Sequence, residues 1–441
     1  MSQNSSDPSR VRAVAEAARA AYLLLSASPS ASRERALHRV ADLLSQRAAA
    51  ILAANAEDVA EARRLVGEGK LARPLLDRLK LDPQKLLGMA RSLREVAAQP
   101  DPSGRVLEKR LLDEGLLLEK VTCPLGVVAA VFESRPDAVT QIASLAIRSG
   151  NAVVLKGGSE AVRTTAVLVA LLREALASEG LPEDAVASLA GREEVDALLA
   201  LDDLVDLVVP RGSNALVRSV KERTRIPVLG HADGVCHVYV DAAADPDMAI
   251  AICLDAKTTY PAACNAVETI LVHRAAAPEV LRPLVGRLAE AGVEVRGCEE
   301  TCAMAAGMPL VAATEADFGT EFSALVVAVK VVETLDEAIA HVNRFGSGHT
   351  DAIVTQDRDA AARFLSRVDS AGVYHNASTR FADGYRYGLG AELGISTGRL
   401  HARGPVGLEG LVTYRWRLHG MGHLVATYTG PGAKPFLHRK L

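Results

Sequence analysis

Aromatic residues are scarce in this chain: 7 Phe, 8 Tyr and 1 Trp among 441 residues, or 4%. With hydrophobic residues at 49%, the core must be built from Ala, Val and Leu, which points to an ordinary globular interior and away from fibre or disorder. Cysteines number only 6 and are scattered, so the dense framework of a secreted disulfide scaffold is excluded. Charge of one sign is lacking too: 50 Lys plus Arg against 54 Asp plus Glu leave a net charge of -4. Nucleic acid is therefore not the expected partner, because a phosphate backbone calls for a dense basic face. The basic tail Lys434–Leu441 reads as a solvated terminus. No run reaches the roughly 20 apolar residues of a membrane span, and Met1–Arg10 is polar, without the core of a signal peptide. A reducing, cytoplasmic setting with no membrane partner is the expectation.

What is present is a change of rhythm. Apolar positions recur at helical spacing through Val11–Leu25, Ala36–Leu52 and Leu86–Val96. Leu107–Val121, centred on Asp113-Glu114-Gly115, predicts a hairpin outside any strand–helix alternation, suited to an oligomerisation arm. From Gly126 the pattern becomes strand, Gly/Ser loop, helix: Val127–Phe132, then Ala152–Leu155 before Lys156-Gly157-Gly158-Ser159, then Leu204–Val209 before Arg211-Gly212-Ser213-Asn214. That is the signature of an α/β doubly wound parallel sheet. A second α/β series follows Asp241, with strands at Glu268–Val272, Leu325–Val332 and Ala352–Val354. Gly372–Gly410 reads as loop lining a site, and Leu411–Leu418 as a last strand pairing with the hairpin. The expected domains are 1–104 with 122–240, 241–405, and an arm of 105–121 with 406–441.

Two Gly/Ser loops at strand ends suit the phosphates of a dinucleotide, with backbone N–H groups and a helix start facing the anion. Cys264 is the candidate nucleophile. Its segment, Tyr260-Pro261-Ala262-Ala263-Cys264-Asn265-Ala266, is a small-residue loop ahead of a strand that allows substrate to approach closely. Cys123, Cys236 and Cys253 read as buried structural thiols. Cys298 and Cys302 lack a histidine or further cysteine to complete a ligand set, so no metal is expected. His341, His349 and His375 fall in a Gly/polar region near the expected site.

The stretch Ala256–Thr269 around Cys264 resembles the nucleophile segment of the γ-glutamyl phosphate reductase (glutamate-5-semialdehyde dehydrogenase) family, within the aldehyde dehydrogenase superfamily. His341–Ile353 resembles that family's signature, departing from it at Val342 and Phe345. Phe132–Asp137 with Gly150-Asn151-Ala152, and Asn376–Phe381, are similar as well, so the likeness runs from about Val11 to His419.

The resemblance implies a cofactor domain, a catalytic domain and an oligomerisation arm. It further implies NADPH, an acyl-phosphate substrate and a place in proline biosynthesis. By position, Lys156 and Ser159 meet the adenosine ribose, with Gly158 between them also binding cofactor, Gly212 and Ser213 flank the pyrophosphate or nicotinamide, and Glu321 meets the nicotinamide ribose. Arg135, His349 and Arg380 are candidates for the substrate's phosphate or α-carboxylate, since a guanidinium suits both anions. Cys264 N–H and the Asn265 side chain are candidates for the oxyanion; the wider superfamily carries an Asn where this chain has Ser134. The general base of hydrolytic relatives falls at Val228, with Glu268 as the alternative acid. A homo-oligomer (dimer or tetramer) and the upstream glutamate kinase are the expected partners. An aldehyde-oxidising enzyme and a non-catalytic scaffold are the rival readings.

Overall fold

The computed structural model describes residues 8–191, 193–231 and 233–441; the reading of Met1–Arg10 falls largely outside them. The chain divides into two compact units, Met1–Leu229 with Leu389–Gly394 and Val406–Leu441, and Gly230–Gly388 with Ile395–Pro405. Among the described residues no helix is long and apolar enough to cross a membrane.

In the first unit the helical rhythm becomes the helices Pro8–Ala27, Ser30–Gln46, Ala48–Gly67 and Pro83–Ala97. A continuous Ala36–Leu52 pattern is interrupted at Arg47, whose backbone leaves helical geometry. The hairpin consists of β1 (Val106–Asp113) and β2 (Leu116–Pro124), joined through Gly115 at φ +71°, the left-handed conformation a two-residue turn requires. Next come β3 (Val127–Phe132), β4 (Ala152–Lys156), β5 (Val186–Leu189) and β6 (Leu207–Arg211). They form a parallel sheet in the order β5-β4-β3-β6. All six residues of β3 are buried, as its uninterrupted apolar run dictates.

The strand Val412–His419 pairs antiparallel with β2 along its whole length. Arg439–Lys440 pairs with the outer edge of β1, so the basic tail is not simply solvated. Asp113 anchors it: its carboxylate accepts from Lys434 Nζ (2.5 Å), Tyr428 Oη (2.7 Å) and the Glu114 N–H (2.8 Å). The Lys434 bond, first among these, holds its pKa down to about 2.

The second unit contains β7 (Cys236–Val240), β8 (Val267–His273), β9 (Glu294–Gly297), β10 (Leu310–Ala312), β11 (Val326–Val332), β12 (Thr350–Val354) and β13 (Gly372–His375). Their order is β10-β9-β11-β8-β7-β12-β13, parallel throughout. The expected boundary at 240 falls instead at Leu229/Gly230, because β7 pairs with β8 and β12. Residues 372–375, read as loop, are the edge strand β13; its four residues are too few to show a period. Strand alternation makes two cores. Val238, Val240, Ile270 and Val272 pack with Leu281, Leu284 and Val285, while Tyr239, Leu271 and Ile353 pack with Ile339 and Phe364.

Candidate active site

Cys264 sits in the loop ahead of β8, and β7 and β12 are the next two strands of the same sheet. The segments entering these three strands, 233–235, 259–266 and 346–349, therefore meet at one end of the sheet. The approach is close enough to demand a glycine. A Cβ on Gly234 would lie 2.2 Å from the Cys264 carbonyl oxygen and 2.7 Å from its Cα. Cys236 Sγ donates to that same carbonyl at 3.3 Å.

Two histidines flank the thiol. One donor atom from each of His231, Cys264 and His349 lies within 4.8 Å of the others. His231 Nδ1 is 2.9 Å from the Ile395 carbonyl, which can only accept, so Nδ1 carries the proton and Nε2 the lone pair. His349 is wholly buried, and burial drives its pKa well below the usual value, leaving the ring neutral. A neutral ring offers an anion a hydrogen bond but no charge. Of the other two histidines, His341 lies in a buried aromatic cluster with Phe318 and Phe345, and His375 Nε2 meets the Thr355 carbonyl at 3.0 Å.

Arg380 is nearly buried, and its Nε has no hydrogen-bond partner. Burial lowers its pKa, with Arg386 adding to the effect and Cys264 opposing it. The Asn265 side-chain amide donates to the carbonyls of Ala382 (2.8 Å) and Arg380 (3.5 Å). Both of its N–H groups are thereby committed, so Asn265 fastens the 380–382 turn instead of offering an oxyanion donor. Glu268, the alternative base, is fully buried and bonded to fully buried Lys257 at 2.5 Å and to the Ser323 N–H at 3.3 Å. Burial pushes its carboxyl up to about 7 against the pull of Lys257. This pair is part of the framework: Glu268 grips the loop that carries Glu321.

Cys298 and Cys302 also have structural partners: Cys298 Sγ caps a short helix by accepting from Thr301 N–H at 3.4 Å, and Cys302 Sγ donates to the Gly297 carbonyl.

In the first unit the chain order around β3 reverses, with β4 on one side and β6 on the other; at such a switch point an open parallel sheet takes its ligands at the strand ends. Ser213 caps the helix Asn214–Arg223 by accepting from Leu216 N–H, but its own N–H donates to Glu133 at 2.8 Å. A Cβ on Gly212 would meet the Glu133 carboxylate at 2.4 Å. Glu160 likewise accepts from Ser134 N–H (2.7 Å) and Ser134 Oγ (2.5 Å). Ser159 is exposed, whereas Lys156 is buried with Nζ 2.5 Å from the Gly157 carbonyl. Arg135 starts the helix Pro136–Ser149. Sequence reasoning found these loops but not their two carboxylates, nor His231. The residue types carried no signal of which N–H groups they would engage. Val228 is bridged to Val208 beside β6.

The sequence model of the aldehyde dehydrogenase family matches residues 1–308 and 310–390. The γ-glutamyl phosphate reductase of Synechococcus elongatus is 55% identical over 425 residues, 96% of this chain and 97% of that protein. That of Natronomonas pharaonis is 53% identical over 425 residues, 96% of each. The crystal structure of γ-glutamyl phosphate reductase from Thermotoga maritima is similar with a TM-score of 0.90 at 38% identity, covering 94% of this chain and 99% of that one. With its parallel sheets and its Cys264 loop, the chain belongs to the aldehyde dehydrogenase family of oxidoreductases and, within it, to the γ-glutamyl phosphate reductases.

Proposed function

We propose that this enzyme reduces L-glutamate 5-phosphate to L-glutamate 5-semialdehyde, releasing phosphate, in proline biosynthesis. NADPH is the reductant and Cys264 the covalent nucleophile. The observation carrying this reading is Cys264 set between two imidazoles, one a neutral buried ring and the other fixed as its Nδ1–H tautomer.

His231 Nε2 takes the Cys264 proton. The thiolate attacks the acyl carbon; a C–S bond forms, the C–O bond to phosphate breaks, and a thioester remains. The Cys264 N–H and the Arg380 guanidinium are the donors for the developing charge. The hydride that converts thioester to aldehyde is supplied by the bound nicotinamide, after which the thiolate leaves. Water is kept from competing because Val228 has no group to accept a proton; general-base help is worth about 10²–10⁴-fold.

A dinucleotide suits the Gly/Ser loops of the first unit, where a Cβ on Gly158 or Gly212 would run into the Glu160 or Glu133 carboxylate, so the backbone there stays bare. Ser159, Gly158 and Lys156 would hold the adenosine ribose, Gly212 and Ser213 the pyrophosphate or nicotinamide, and Glu321 the nicotinamide ribose. Glu160 is turned to Ser134, so the exposed group at the ribose position is the Ser159 hydroxyl, which does not repel a 2′-phosphate. Arg135 and Arg380 are the anion ligands for substrate. Exposed Tyr414, Trp416 and Leu418 on the arm support a homo-oligomer, dimer or tetramer. An acyl phosphate must come from a kinase acting on glutamate, and six free cysteines suit the cytoplasm.

The test is the reverse reaction, glutamate semialdehyde with NADP⁺, followed by absorbance with and without inorganic phosphate. Phosphate-dependent NADPH formation is expected. Steady turnover in phosphate-free buffer would make water the acceptor and the enzyme an aldehyde-oxidising dehydrogenase.

A further inference from the structure

The surroundings of Cys264 hold more ligating power than thioester chemistry needs. His231, Cys264 and His349 each bring one donor atom to within 4.8 Å of the others, and the two imidazoles meet edge-on at 4.7 Å and 81°. His349 Nδ1 is 2.9 Å from Thr350 Oγ1, while its Nε2 is buried with no hydrogen-bond partner. A buried ring nitrogen left unsatisfied is costly and calls for an explanation. His231 and Cys264 are partly exposed, which leaves an ion a way in.

We propose that His231, Cys264 and His349 form a capture site for a borderline-soft divalent cation of the zinc class, and that capture switches the enzyme off. One thiolate and two imidazoles are the donor set such ions prefer. With Zn–S of about 2.3 Å and Zn–N of about 2.0–2.1 Å, a tetrahedral ion sets its ligands about 3.5 Å apart. The trio has to close by about 1 Å, within reach of side-chain rotation, and water takes the fourth position. A sulfur–metal bond forms as the thiol proton passes to solvent, with no change of oxidation state. The nearby thiol of Cys236 does not compete: it is buried and bonded to the Cys264 carbonyl at 3.3 Å. Inhibition rests on Cys264 being the nucleophile, as proposed above; ion binding does not.

The probe is cobalt(II), titrated into the full chain after chelator treatment. Expected is a near-ultraviolet thiolate-to-cobalt absorption with visible bands of tetrahedral intensity. Both vanish in Cys264→Ser and in the unmutated protein alkylated at Cys264, and the apparent affinity falls at least about tenfold in His231→Gln. Zinc abolishes NADPH oxidation with enzymatically generated γ-glutamyl phosphate, and EDTA restores it. No thiolate band, or a band that survives alkylation and Cys264→Ser, overturns the site. A thiolate band that zinc displaces, in protein whose activity zinc leaves intact, keeps the site and overturns the nucleophile reading with the inhibition.

Discussion

The strand ends of the first unit and the Cys264 surroundings of the second solve opposite problems. In the first, the polar groups are carboxylates on backbone N–H groups, Glu133 on Ser213 and Glu160 on Ser134, beside exposed Ser159. In the second, the polar groups are buried and their protonation is set by lack of solvent: His349 neutral, Cys236 a thiol, Glu268 near 7. Groups held this way need no rearrangement when charge develops beside them. The first unit keeps its loop carboxylates within reach of solvent, whereas the second buries the polar groups around a thiol that is itself partly exposed.

Substitutions can break that division. Cys264→Ala should lower kcat by at least about 10³-fold while leaving cofactor affinity, read by nucleotide fluorescence, unchanged. A tenth of the activity remaining would end the covalent mechanism. Next in size is Gly234→Ala. Its methyl group would lie 2.2 Å from the Cys264 carbonyl oxygen, so the nucleophile loop must shift. A displacement of about 1 Å costs about 10²-fold, and kcat should fall with little change in the KM for NADPH.

The buried histidines give the second unit an acid weakness. Burial lowers His341 from 6.5 to about 3, so its contribution to stability is whole above about 6.5 and is lost as pH falls. Between pH 6.5 and 5.5 the unmutated protein should lose about 1 kcal/mol more than His341→Leu, read from urea midpoints at both pH values. Equal losses would mean that His341 is charged in the folded state. The smallest effect belongs to the exposed side. Ser159→Glu should move the NADPH/NADH ratio of kcat/KM toward NADH by only about two- to fivefold, since an exposed charge pair is worth about 0.2–1 kcal/mol.

The same division explains what could be read from sequence. The β3 and β4 runs, their Gly/Ser loops and the hairpin around Gly115 are local patterns, visible without a fold. Cys264 was legible because its whole segment is a motif. His231 was not: its partners, Cys264 and His349, are 33 and 118 residues away and meet it only through strand order. The commitment of Asn265 to the 380–382 turn was hidden for the same reason. The boundary at 229 in place of 240 shows the cost of placing a strand by its neighbours in sequence, since β7 joins strands that come after it.

The tail adds a practical consequence. Leu441 N–H donates to the Lys109 carbonyl and Arg439–Lys440 runs along β1, so a peptide fused after Leu441 starts from a sheet edge already stitched to the hairpin. Affinity handles and reporter domains placed there pull on the arm.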